Sequence, residues 1–76
     1  MYNINNTFEL RCALNLNRIK KAGNEGINKS DLYLLAHLPA PILNEVLNRL
    51  IIDGHIQGEV IVNPTTNRIQ RRYYAI

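Results

Sequence analysis

The sequence predicts an α+β domain in which three helices precede a C-terminal two-stranded β-hairpin. Three observations carry that expectation. Two prolines one position apart, in "LPAP" at residues 38–41, divide an apolar helical stretch in two. Glycines stand where two of the helical patterns run out, at Gly23 and Gly54. After Gly54 the spacing of apolar residues changes from helical to extended. A chain of 76 residues with 46% hydrophobic content suits one domain near the lower size limit for independent folding. It is too apolar for a disordered segment.

Asn6-Thr7-Phe8-Glu9 has the pattern of a capping box, with Asn6 as N-cap and Glu9 reaching back to its amide. It predicts a helix to about Ala22, stopped by a left-handed Gly23. At about 100° per residue, Phe8, Cys12, Leu16, Ile19 and Ala22 share the core face. Leu10 and Leu14 fall nearly opposite. Residues 24–26 read as a loop, and Ile27 as a very short strand. Asn28-Lys29-Ser30-Asp31 repeats the capping pattern with an aspartate in the N3 place. The second helix then runs through about Ala36, burying Leu32, Leu35 and Ala36.

Pro39 disfavours helical backbone at Leu38 and so ends that helix. Pro41 suits the first turn of the next, where its missing N–H costs nothing. This third helix extends to about Asp53, with Ile42, Leu43, Val46, Leu47 and Leu50 on its buried side. The β-branched run at residues 55–62, the turn at 63–67 and the alternating stretch at 68–76 form the hairpin. Pairing Val62 with Ile69 sets Gly58 opposite Tyr73 and Glu59 opposite Arg72. A shift by one sets Glu59 against Arg71 instead. Either register gives a cross-strand charge pair, and the Val62–Ile69 contact favours the first.

Composition narrows the function. The net charge is +3, with cations grouped at Arg18, Lys20 and Lys21 and at Arg68, Arg71 and Arg72, a balance that suits an acidic polymer such as nucleic acid. The single cysteine, Cys12, permits no internal disulfide and no cysteine-based zinc site, and fits a reducing compartment. The first ten residues lack a basic segment followed by an apolar run, so no signal peptide is expected. The apolar runs are too short to span a bilayer. A cytoplasmic location with no membrane partner is the expectation. His37 and His55 have no ligand-spaced companions and form no nucleophile–base set, and no glycine-rich phosphate loop is present. No enzymatic activity, cofactor or metal is expected.

Four spaced segments, "GINKSDL", "LPAP", "VLNRLIIDGHI" and "RRYYAI", cover most of the chain after the first helix. Together they resemble the winged helix-turn-helix domain of small free-standing prokaryotic, phage or plasmid regulators. The resemblance implies a single winged-helix domain over residues 1–76 that binds double-stranded DNA and regulates transcription, as a homodimer. The third helix would lie in the major groove, with the hairpin wing on the backbone. Winged helices also serve as protein-interaction modules, so an anti-repressor or adaptor that meets another regulatory protein is the alternative.

Asn44 and Asn48 lie four apart on the polar face of the third helix, flanked by Glu45 and Arg49. Asparagine grips adenine bidentately, arginine grips guanine, and glutamate accepts from cytosine amino groups. The same four residues also compose an ordinary solvated helix face. The chain departs from the family pattern in placing Ala40, Pro41, Ile42 and Leu43 before the first polar residue, and in the negative charge of Glu45. Lys29 and Ser30 stand where the resemblance implies backbone-phosphate contact, assisted by the positive helix end. Arg68, Arg71 and Arg72 are candidates for phosphate or minor-groove contact, with Arg71 on the other strand face and at least one of the three expected to pair with Glu59. Thr65 and Thr66 at the wing tip are weaker candidates. Arg18, Lys20 and Lys21 read as favourable charge at a helix C-terminus. Leu10 and Leu14 are either a dimer interface or ordinary exposed leucines.

Overall fold

A computed structural model describes residues 4–76, with side chains from Thr7 onward. The order is α1 (Ile4–Lys21), a 3₁₀ turn (Gly23–Glu25), β1 (Ile27–Asn28), α2 (Lys29–Ala36), α3 (Ala40–Ile52), β2 (Ile56–Asn63) and β3 (Arg68–Ala75). The α+β arrangement of three helices followed by a hairpin is as expected. The short strand read at Ile27 is present as β1, and it joins the two hairpin strands in one antiparallel sheet of order β1-β3-β2. β1 sets Ile27 opposite Tyr73 and Asn28 opposite Arg72, so the segment before α2 is stitched to the hairpin.

The core gathers Ile19 of α1, Leu32 of α2, Leu43, Val46, Leu47 and Leu50 of α3, Ile56 of β2 and Tyr73 of β3. Phe8, Cys12 and Leu16 pack at its margin along the predicted α1 face. Each fully buried aliphatic side chain contributes about 2 kcal/mol. Asn15 joins them with only 1% exposure. Its Nδ2 donates to the Arg11 carbonyl at 2.8 Å, and its Oδ1 accepts from Arg18 Nη1 at 3.1 Å. A buried amide so satisfied costs little.

Several local expectations are corrected. α1 begins at Ile4, so Asn6 lies inside the helix and is not its N-cap; the Asn6–Glu9 side-chain contact falls outside the described side chains. Asn28 occupies the N-cap position of α2 with extended backbone, but its side chain makes no capping bond. Leu35 is exposed, because α2 turns only a narrow stripe at Leu32 and Ala36 toward the core. α2 ends through His37, whose left-handed backbone (φ 53°) breaks the helix before the proline acts. Pro39 instead caps α3, its carbonyl accepting from the amides of Ile42 and Leu43 at 3.0 Å.

At the other end of α3 the amide of His55 donates to the Leu50 carbonyl and that of Gly54 to Ile51, with Gly54 at φ 79°. This Schellman pattern turns the chain directly into β2. The hairpin adopts the favoured register, with Val62 opposite Ile69, Gly58 opposite Tyr73 and Glu59 opposite Arg72. The expected Glu59–arginine pair is nevertheless not formed. Tyr74 Oη donates to Glu59 Oε2 at 2.7 Å, and Arg72 Nη1 donates to the Glu25 carbonyl at 2.7 Å.

Gly26 makes the approach of β1 to β3 possible. Its φ is 70°, and a Cβ there would stand 2.7 Å from the Tyr73 carbonyl oxygen and from the Tyr74 ring. Gly23 has a similar φ of 68° but open space around it. Gly23→Ala should therefore cost about 1 kcal/mol, the left-handed penalty alone. Gly26→Ala should cost at least about 2 kcal/mol more, because backbone must move as well. Thermal melts of the two variants check this; equal losses would contradict the close packing.

Candidate nucleic-acid interface

Burial of Leu43, Val46, Leu47 and Leu50 leaves Asn44, Glu45 and Asn48 exposed on the outer side of α3. The two asparagines form a ridge one turn apart, continued by Ile52, which is 80% exposed. Arg49 does not belong to that ridge. Its Nε donates to Asp53 Oδ2 at 3.0 Å, and the pair lines a groove against α1 together with Phe8, Glu9 and Cys12. The bond to Asp53 raises the pKa of the guanidinium above its ordinary value, so it stays charged. The i,i+4 spacing of Arg49 and Asp53 is the sequence signal for this pairing.

A second group forms where α2 meets the hairpin. Lys29, Ser30 and Arg71 come together along a groove of about 570 Å³ between the first turn of α2 and β3. Arg71 shares a sheet face with Tyr73 and Ile69, whereas Arg68 and Arg72 lie on the other face. The three arginines thus divide as alternation predicts. Arg72 is held at the Glu25 carbonyl, while Arg68 stands exposed at the start of β3. The one ion pair among the described residues is Arg49–Asp53, which leaves Lys29, Arg68 and Arg71 without a carboxylate partner there.

At the wing tip the Thr65 amide donates to Asn63 Oδ1 at 2.9 Å, and Asn67 is left-handed at φ 56°. This side-chain-braced turn presents Thr65 and Thr66 to solvent. Leu10 and Leu14 are exposed on the side of α1 away from the core. Cys12 is partly buried, and desolvation pushes its thiol up against the opposing pull of Arg49, so it stays protonated at neutral pH. Among the described residues no three His, Cys, Asp or Glu side chains gather as a metal site, and no helix is long and apolar enough to cross a membrane.

Comparison with known proteins finds no matching family model, no matching curated protein and no matching solved structure.

The Tyr74–Glu59 bond is a feature the sequence reading missed, and it has a titration signature. The hydrogen bond to Glu59, and then desolvation, raise the Tyr74 pKa above the ordinary 10.0. A folded pKa above the unfolded value means that the contact stabilises fully below pH 10, and that this contribution is lost as pH rises toward the folded pKa. Ultraviolet titration should show a late-ionising tyrosine that disappears in Tyr74→Phe. A late component that survives the substitution would assign the shift to another tyrosine.

Proposed function

We propose that this protein is a winged helix-turn-helix regulator that binds double-stranded DNA in the cytoplasm, with α3 in the major groove and the β2–β3 hairpin against the backbone. The observation that carries this reading is the exposed Asn44–Asn48 ridge, on the helix that follows a three-residue turn from α2. Paired asparagines one turn apart suit bidentate recognition of adenine edges. Lys29 and Arg71, both lacking an ion pair among the described residues, supply the phosphate attraction that most DNA affinity requires. Ser30, Thr65, Thr66 and Arg68 are exposed and add backbone contacts.

Arg49 contributes to base contact only after leaving Asp53, so it ranks below the asparagines. A second copy docked through Leu10 and Leu14 would double the contacts of so small a module. The protein acts by binding and not by catalysis in this reading. One feature favours the other class: the ridge bears Glu45 and the exposed Ile52 with no cation of its own. An adaptor that docks another regulatory protein through α3 would use these residues.

A preferred duplex selected from a random pool tests the assignment. Asn44→Ala/Asn48→Ala should lose roughly 1–3 kcal/mol of discrimination per base contact while retaining nonspecific affinity. Lys29→Ala and Arg71→Ala should weaken all duplexes alike and lower the salt slope by about one each. Equal loss on selected and scrambled duplexes in the asparagine variant would reject the ridge as the reader. Salt-insensitive partner binding abolished by Ile52→Ser would favour the adaptor.

A further inference from the structure

The sheet has a notch. β1 covers β3 only at Tyr73 and Arg72, because after Asn28 the chain turns away into α2. On that side β3 has no strand partner among the described residues from Arg68 to Arg71, a length of about 13 Å. In an antiparallel ladder alternate residues direct both N–H and C=O to one side, so this edge presents a donor–acceptor pattern that no strand among the described residues meets. The notch floor is apolar. Tyr33, Leu34 and Ile69 line the groove there, and Leu34 and Ile69 each expose 68% of their surface. Its rim is basic, with Lys29 on one side and Arg71 on the other, and no carboxylate among the described residues lines it.

We propose that this notch receives an extended acidic peptide segment of another protein, added to the sheet antiparallel to β3 in line with β1. Strand addition draws affinity from main-chain hydrogen bonds and specificity from alternate side chains. An apolar side chain of the peptide fills the space over Leu34 and Ile69, and the neighbouring carboxylates meet Lys29 and Arg71. Charge separates this occupant from the others. A second copy docked edge to edge would set Arg68 and Arg71 against like charges, with Glu59 already engaged by Tyr74. A DNA backbone would satisfy the two cations, but it would face the strand carbonyls with phosphate oxygens and leave the apolar floor without contacts. The peptide alone supplies donors, acceptors, apolar area and negative charge together. The proposal stands apart from the DNA reading, although it shares Lys29 and Arg71 with it, so an occupied notch would exclude backbone contact there.

The test is an amide NMR titration of the full chain with a capped seven-residue peptide alternating valine and aspartate. Two controls accompany it: the same peptide N-methylated at alternate amides, and a valine–lysine counterpart. The Val–Asp peptide should shift the amides of residues 68–71 and 29–34, with both controls at least roughly tenfold weaker. Leu34→Asp, an exposed position whose fold is checked by the unchanged remainder of the spectrum, should abolish the shifts. Absence of shifts at about millimolar peptide, shifts confined elsewhere, or binding indifferent to N-methylation would overturn the proposal. Duplex DNA binding that falls at least roughly tenfold in Leu34→Asp while the peptide fails would hand the notch to DNA. Loss of base preference in the asparagine variant bears on α3 and leaves this result untouched.

Discussion

The two-residue pairing of β1 with β3 is the constraint on which the rest of the arrangement depends. It is short, so its geometry is held from several sides. Gly26 admits the Tyr73 carbonyl where any side chain would collide. Arg72 reaches from β3 to the Glu25 carbonyl, and Tyr73 buries its ring in the core shared by the three helices. Through this pairing the start of α2 is fixed beside the hairpin. The turn at residues 37–39 then fixes α3 relative to both.

The outcome is a division of chemistry between elements. The outer ridge of α3 carries hydrogen-bonding amides and one acid, while Lys29 and Arg71, which have no ion pair among the described residues, meet where α2 adjoins β3. In the proposed DNA complex, affinity would come from the second group and sequence choice from the first, the usual separation between backbone and base contacts. Arg49 stands between these roles. Its bond to Asp53 holds it in the α1–α3 groove, and breaking an exposed pair of this kind costs little. The same division leaves a basic-rimmed strand edge beside α2, the edge to which the proposed acidic peptide would add.

Features written in short-range patterns were legible in the sequence. The helix ends near Gly23 and Gly54, the double-proline junction, and the hairpin register set by Val62 and Ile69 all follow from neighbours within a few residues or from strand alternation. Features decided by long-range packing were not. Alternation put Glu59 opposite Arg72, but Tyr74 on the diagonal and the Glu25 carbonyl from another segment competed for both. Leu35 looked buried because helical spacing cannot tell how wide a stripe the core will take. Asn15 carried a readable hint, three residues after Cys12 and four before Ile19, which polarity masked. Of the candidate site, the asparagine ridge was legible from spacing alone. The meeting of Lys29 with Arg71 required the β1–β3 pairing, which no local pattern announces.

The most direct measurement is the affinity of the purified protein for random duplex DNA across a salt series, read by fluorescence anisotropy. A surface with two to four phosphate-contacting cations should bind at low salt and lose affinity linearly in log–log form, with a slope of about −2 to −4. Absence of binding at low salt, or binding that does not respond to salt, would contradict a nucleic-acid interface built from Lys29, Arg68 and Arg71.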